Sequence, residues 1–432
     1  MSLLDRPFDR LSIDLERWPD LARPDAVPVR ATIARALLRH IARRAGIRVE
    51  MSDGRAYGPL GAPLMSVCDP DAFFARLGAS GKIGFGESYM AREWESEDLI
   101  GVLVALARRP EALVPRPLQV VRRWYEARRP EREDNDRDGS IRNIGSHYDL
   151  SNDLFATFLD ETMSYSSAYF LDPSDSLAQA QAYKIERLLD ATGVRENSRV
   201  LEVGTGWGEL ALRAARRGAR VTSVTVSKEQ AALARQRVAA AGLDALVEIR
   251  IEDYRDVGGL YDAVLSVEMI EAVGERWWPT YFRALDERLA PGGRLGLQSI
   301  LMSHDRLQST KRSWTWIHKY IFPGGIIPSE EAIHKSVRNH TGLVMVDGIR
   351  FGASYAATLR AWRTRFLDAA PQVANLGFDA TFRRMWEFYL AYCESGFESG
   401  YLDVGQFVFD KAPRTSRIVT TDPSQINASR DG

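Results

Sequence analysis

Val200–Leu201–Glu202–Val203–Gly204–Thr205–Gly206–Trp207–Gly208 is the stretch that decides the fold. Arg199 to Val203 is a short apolar run suited to a buried strand. Three glycines break it, and Glu209 to Arg217 then reads as a helix. A strand, a glycine turn and a helix in that order bring backbone N–H groups and a helix N-terminus up to a ligand, because no Cβ stands in the way. Two details depart from the dinucleotide fingerprint G-x-G-x-x-G. Glu209 stands where the third glycine belongs, and the next apolar run, Arg220 to Val226, ends in Thr225–Val226–Ser227, where a nicotinamide ribose needs an acidic residue.

The pattern E-x-G-x-G-x-G is instead the one with which methyltransferases hold S-adenosylmethionine (SAM). Outward from it, strand-like runs recur at Leu246–Ile251, Tyr261–Val267 and Leu295–Ile300, with helical patterns between most of them and one ahead at Leu177–Ala191. This alternation predicts an α/β fold, a doubly wound Rossmann-like sheet whose ligands sit at the carboxyl ends of its strands. Phe366 to Gly396 reads as helical and is rich in aromatic residues.

Four parts are expected. Residues 1–125 form a smaller, mainly helical N-terminal domain, 126–142 a linker, 143–420 the SAM-dependent methyltransferase domain, and 421–432 a polar tail. The linker is crowded with charge and nearly free of apolar residues, so it cannot offset its ordering entropy by burial. Within the first part, Val29 to Arg44 places Ile33, Leu37 and Ile41 at helical spacing, with Arg30, Arg35, Arg39, Arg43 and Arg44 on other faces. Such a helix either packs on a core with a solvated arginine face or lies on an anionic lipid surface. Arg122, Arg123, Arg128 and Arg129 carry the same two readings.

Composition excludes several classes. The 432 residues are 45% hydrophobic, enough for more than one core, and the formal net charge of −1 gives no reason to expect a nucleic-acid partner. Two cysteines far apart, Cys68 and Cys393, form no disulfide framework, and six histidines show no metal-ligand spacing, so no metal site is expected. No apolar run reaches the roughly 18 residues of a spanning helix, and the N-terminus lacks a signal-peptide pattern. A cytoplasmic protein that meets the inner face of a membrane peripherally is the expectation.

Five blocks, the glycine motif among them, occur in one order: His147–Tyr148–Asp149–Leu150–Ser151–Asn152–Asp153, Met163–Ser164–Tyr165–Ser166–Ser167–Ala168–Tyr169–Phe170, the glycine motif, Glu268–Met269–Ile270–Glu271–Ala272–Val273–Gly274, and Lys319–Tyr320–Ile321–Phe322–Pro323–Gly324–Gly325. Together they resemble the cyclopropane fatty acid synthase family, SAM-dependent enzymes that act on the double bond of unsaturated acyl chains. The resemblance runs from about Asn143 to Phe409, and Ile83–Gly84–Phe85–Gly86–Glu87–Ser88–Tyr89–Met90 is similar to the N-terminal lipid-binding domain of full-length members. Within the family the chain most resembles the actinobacterial branch that makes 10-methylene and 10-methyl stearate from oleate.

The resemblance implies site residues. For the cofactor these are Tyr165 and Ser166 at its carboxylate end, Gly204 and Gly206 by backbone approach, Thr225, Val226 and Gln230 near the ribose, and Asp253 with Tyr254 at the adenine edge. For the chemistry they are Glu271, Tyr355, Ile300, Ser167, Gln298 and Tyr148. Family members hold a bicarbonate ion with a cysteine, a histidine, a glutamate, a tyrosine and an isoleucine backbone. Glu271, Tyr355 and Ile300 match that pattern, whereas Ser167 replaces the cysteine, Gln298 the histidine, and Ala272 a histidine common after the glutamate. Serine and glutamine still hydrogen-bond an anion, so bicarbonate stands as a further expected ligand.

An isolated alkene is a weak nucleophile. Methyl transfer to it therefore depends on alignment, exclusion of water and stabilisation of a carbocation. Aromatic faces attract that charge, and Tyr148, Tyr165, Tyr169, Trp316, Tyr320, Phe322 and Tyr355 are the candidates. The cation must then lose a proton. Ring closure gives cyclopropane, and a hydride shift followed by loss from the added methyl gives an exocyclic methylene. Glu271 either holds the base or is the base, and Glu268 is assigned no role. The expected function is SAM-dependent methylation of phospholipid-bound oleoyl chains to 10-methylene stearoyl lipid. Cyclopropane formation is the alternative, and a non-catalytic lipid- or SAM-binding relative is the remaining rival. Unsaturated phospholipid chains, an anionic membrane surface, a separate reductase and a second copy of the chain are the expected partners.

Overall fold

The computed structural model describes residues 11–25, 27–108, 139 and 151–412. Tyr148, His147, Arg122, Arg123, Arg128, Arg129, the polar tail and all of the expected linker but Gly139 lie outside the described residues.

The N-terminal part opens with α1 (Pro28–Ala45), which ends where Gly46 takes a left-handed conformation (φ 73°). Strands β1 (Arg48–Met51), β2 (Ala56–Tyr57) and β3 (Leu64–Val67) follow, then α2 (Pro70–Met90), β4 (Trp94–Glu95) and α3 (Leu99–Ala107). The four strands form a small sheet of order β2-β1-β3-β4 that the helical reading did not foresee. The buried stripe of α1 is Ala34, Leu38 and Ala42, while Ile33 is 52% exposed. The core face is thus turned by one residue from the isoleucine spacing. Close packing against α2 demands it, since a Cβ on Gly78 would meet the Arg30 backbone at 3.0 Å. Apolar spacing alone gives the wrong face where backbones approach this closely.

The larger part begins with α4 (Asn152–Phe158), α5 (Leu177–Ala191), β5 (Arg199–Val203), α6 (Glu209–Arg216), β6 (Arg220–Thr225), α7 (Lys228–Ala240) and β7 (Val247–Ile251). It continues through β8 (Tyr261–Val267), α8 (Ile270–Val273), α9 (Trp278–Arg288), β9 (Leu289–Leu301), α10 (His304–Thr310), α11 (Trp316–Tyr320) and α12 (Glu330–His340). Strand β10 (Leu343–Arg350), α13 (Gly352–Asp368), α14 (Ala370–Asn375), α15 (Ala380–Glu398) and β11 (Asp403–Lys411) complete it. The sheet has seven strands in the order β10-β11-β9-β8-β5-β6-β7. Strands β5 to β9 are parallel, and β11 and β10 close one edge antiparallel. The chain winds outward from β5 through β6 and β7, then returns to the other side of β5 with β8. A crevice therefore opens at the carboxyl ends of β5 and β8, where ligands of doubly wound sheets bind.

Two sequence blocks far apart meet where the N-terminal part packs on the larger one. Glu87 of α2 accepts from Lys319 Nζ at 2.6 Å and from Tyr320 OH at 2.9 Å. A Cβ on Gly86 would come within 2.4 Å of the Trp316 ring. Trp316 in turn packs edge-on against Phe388 of α15, with ring centroids 4.8 Å apart. Of the expected aromatic candidates, Trp316 and Tyr320 serve this junction.

Candidate active site

The crevice holds a cavity whose one end is made by the turns after β5, β6 and β7. Its walls include Met163, Tyr165, Ser166, Gly204, Gly206, Thr225, Val226, Gln230, Asp253 and Tyr254. All nine residues expected to bind cofactor lie on this wall. Gly204 and Gly206 have φ of 96° and 51°, a region where side chains are strained. They differ in what surrounds them. A Cβ on Gly204 would strike the Met269 side chain at 2.5 Å, whereas one on Gly206 meets nothing within 4 Å and would project into the cavity. Gly204 is required by packing and Gly206 by access.

The polar groups of this end are largely arranged by one another. Thr225 Oγ1 donates to Gln230 Oε1 at 3.0 Å and accepts from the Ser227 N–H. Both oxygens of Asp253 accept from Arg255, Oδ1 from Nε at 2.7 Å and Oδ2 from Nη2 at 2.5 Å. Tyr165 OH lies 2.6 Å from Tyr389 OH, and its ring stacks on Trp362 at 5.2 Å. Lys184, which sequence reasoning passed over, and Glu202, the acidic residue of the glycine motif, also line the cavity. Lys184 of α5 donates through Nζ to Ser166 Oγ at 2.7 Å. Burial lowers its ammonium to about 8, although Glu268, Asp160, Glu209 and Glu202 pull upward. Burial likewise raises Glu202 to about 8, against the Ser223 hydroxyl 2.6 Å away and Lys184.

The other end is built after β8 and β9. Glu268, the first residue past β8, lines the cavity. Its Oε1 accepts from the Ser167 backbone N–H at 2.9 Å and from Gln298 Nε2 at 2.8 Å, and its Oε2 accepts from Tyr355 OH at 2.7 Å. Gln298 is itself held by its strand neighbour, since Gln406 Nε2 donates to Gln298 Oε1 at 3.0 Å while Arg187 donates to Gln406 Oε1 at 3.0 Å. Glu268 has φ of 54°, a conformation that costs a non-glycine residue roughly 1–3 kcal/mol. Burial raises its carboxyl above the ordinary range, opposed by the Tyr355, Gln298 and Ser167 hydrogen bonds and by Lys184.

Glu271, one turn further on, faces β9. Its Oε1 accepts from the Ile300 N–H at 2.5 Å and from Ser299 Oγ at 2.9 Å, while its buried Oε2 has no hydrogen-bond partner among the described residues. Burial and then the nearby Glu268 push its carboxyl up to about 8. The residues expected to cage bicarbonate do come together, but they do not fit that ion here. The Ser167 hydroxyl donates to the Ala168 carbonyl at 2.9 Å, and Ile300 spends its N–H on Glu271. The Gln298 and Tyr355 donors converge on the Glu268 carboxylate. Spacing three residues ahead of Glu271 was the one sequence signal for Glu268, and it says nothing of a left-handed backbone.

A switch-point crevice walled by a glycine turn after β5, a hydroxyl and an amide after β6 and an acidic residue after β7 is the arrangement of a SAM-dependent methyltransferase. The Mycolic acid cyclopropane synthetase model matches residues 135–407, and the chain belongs to that family. It is 53% identical to the Tuberculostearic acid methyltransferase UfaA1 of Mycobacterium tuberculosis, over 92% of this chain and 96% of that one. It is 37% identical to the Cyclopropane-fatty-acyl-phospholipid synthase of Escherichia coli, over 80% of this chain and 87% of the other. Among solved structures, the mycolic acid cyclopropane synthase CmaA1 complexed with SAH and CTAB superposes with a TM-score of 0.59 at 27% identity, covering 66% of this chain and 99% of that one. The cofactor of this chain is SAM, and the residues of the glycine-lined end fit it. Among the described residues no cluster of side chains could hold a metal ion, and no helix is long and apolar enough to cross a membrane.

Proposed function

We propose that this enzyme transfers the methyl group of SAM to the cis double bond of phospholipid-bound oleoyl chains, giving 10-methylene stearoyl lipid. The observation that carries this reading is the 53% identity, over nearly the whole chain, to a protein named for tuberculostearic acid, a 10-methyl stearic acid. Cyclopropane-forming relatives match at lower identity. SAM supplies an electrophilic methyl. The chain's own residues orient the acyl chain beside it, exclude water and stabilise the cation. Half-buried Tyr165 and buried Tyr355 supply ring faces for that charge, Tyr165 stacked on Trp362 and Tyr355 stacked on Phe397 at 4.3 Å. Glu271 fixes the Ile300 end of β9 by accepting that residue's N–H.

Three partners belong to the same proposal. A methylene group is two hydrogens short of a methyl branch, so a separate reductase with a hydride-donating cofactor completes the product. The enzyme reaches its substrate by peripheral contact with an anionic membrane surface, on the cytoplasmic side. Arg39, Arg43, Arg55 and Tyr57 line a shallow basic pocket, and Val29 is 68% exposed on the same helix as Arg39 and Arg43. Arg35, by contrast, stacks over Phe74 at 4.3 Å and is structural. The third partner is a second copy of the chain. Incubation with SAM and dioleoyl phospholipid, followed by mass spectrometry and proton NMR of the released chains, tests the reaction. A chain heavier by one CH2 with vinylic methylene protons is expected; no mass gain, or high-field ring protons, contradicts it.

A further inference from the structure

The cage at the reacting end contains an anion already, and it is part of the chain. Three donors from three separate segments point at one carboxylate: the Ser167 N–H, the Gln298 amide and the Tyr355 hydroxyl. The geometry is a built anion site, because Gln298 is fixed from behind by Gln406 and Arg187, and Tyr355 is clamped on the Phe397 ring. The backbone of Glu268 is held at φ 54° to put its side chain there. Strain retained against so many alternatives is a mark of function. Glu268 lines the cavity shared with Gly204, Gly206 and Met269, whereas Glu271 does not. Both ionised carboxylates in one buried site would repel, so a single negative charge is held between them. The three donors place it on Glu268.

We propose that Glu268 supplies from within the chain the anion that this cage would otherwise take from solution as bicarbonate, and that it is the catalytic base of the reaction. The inference rests on the methylation reading above. A C–C bond forms between the sulfonium methyl carbon and one alkene carbon as the S–CH3 bond breaks, leaving a neutral thioether and a cation on the neighbouring carbon. A hydride moves from the methylated carbon to that neighbour, which carries the cation back. One C–H bond of the added methyl then breaks, its electron pair closes the exocyclic double bond, and the proton passes to Glu268 Oε2. That oxygen carries one donor against two on Oε1 and has the freer lone pair. The charge that held the cation by attraction thus also removes its proton, and no exchangeable ion has to be bound.

The test compares wild type with Glu268→Gly and Glu268→Gln, in carbon-dioxide-free buffer with and without added bicarbonate. Glycine suits the left-handed backbone at this position, so Glu268→Gly empties the cage without straining the fold. Wild-type turnover is expected to be the same in both buffers. Glu268→Gly is expected to lose on the order of 10²-fold or more without bicarbonate and to recover much of it on addition. Glu268→Gln fills the cage with a neutral amide and is expected to be slow in both buffers. SAM affinity of each variant, measured by calorimetry, is expected to match wild type. Binding of ¹³C-bicarbonate, followed by NMR line broadening with S-adenosylhomocysteine present, is expected for Glu268→Gly and not for wild type. Wild-type turnover that depends on bicarbonate, or labelled bicarbonate that binds wild type as tightly as Glu268→Gly, overturns the proposal. If wild type made no methylated lipid in either buffer, the methylation reading would fail, while the NMR comparison would still decide what fills the cage.

Discussion

At the cofactor end of the cavity, Gly204 and Gly206 offer backbone from a single nine-residue stretch. At the reacting end, Ser167, Glu268, Gln298 and Tyr355 arrive from four segments that the fold alone brings together. The first end works through the absence of side chains and the second through their charge. A backbone site tolerates many neighbours, because its selectivity lies in shape and in the helix N-terminus. A buried carboxylate cage has no such latitude, since every donor removed leaves charge uncompensated in a low dielectric. The two ends therefore differ in how much substitution they tolerate.

The largest expected effect lies at the reacting end. Glu268→Gln should reduce turnover by roughly 10²- to 10⁴-fold, the usual contribution of a general base, with SAM affinity unchanged. Equal losses of turnover and SAM affinity would mean that the two ends are not separable. Gly206→Val is the converse change. Its side chain enters open cavity space, so calorimetry should show SAM affinity lower by at least about tenfold, ~1.4 kcal/mol. Full retention would place the cofactor elsewhere. Gly204→Val is a poorer probe, because it also strikes Met269 and disturbs packing.

Smaller effects sharpen the same contrast. Arg39→Glu together with Arg43→Glu should weaken binding to anionic vesicles by about 1 kcal/mol per residue, and the loss should shrink as salt is raised. Binding that ignores salt and headgroup charge would point to an apolar contact instead. Glu271→Gln should act mainly on stability. Its carboxyl is raised from an ordinary 4.5 to about 8, so between those pH values the folded protein keeps a proton that the unfolded chain releases. Stability contributed this way is full below about 4.5 and is lost as pH rises towards 8. The variant should lose up to about 1.4 kcal/mol per pH unit of that decline, read from urea midpoints across the range. An unchanged slope would show that Glu271 is ionised throughout.

Legibility in the sequence followed the same division. The parallel strands were visible because each is a compact apolar run, and the cofactor residues because their motif is local. The antiparallel strands β10, at the sheet edge, and β11, inside it, were not. Val344 and Val346 on β10 are exposed, so its pattern carries no buried face to read. Ser167, Gln298 and Tyr355 were identifiable through resemblance, yet what they hold was not, because the answer depends on the left-handed conformation of Glu268. The buried face of α1 lies one residue off the isoleucine spacing for a related reason: Gly78 of α2 sits directly against the Arg30 backbone. Tyr148 lies outside the described residues.

The most direct test of the central claim uses SAM carrying a trideuterated methyl, dioleoyl phospholipid vesicles and the wild-type enzyme, with the product chains read by mass spectrometry and deuterium NMR. Methylation followed by proton loss from the added group predicts a stearoyl chain with two of the three deuterons, both on an exocyclic vinylic carbon at position 10. Two deuterons on a cyclopropane ring carbon, or a lipid with no deuterium, would contradict it.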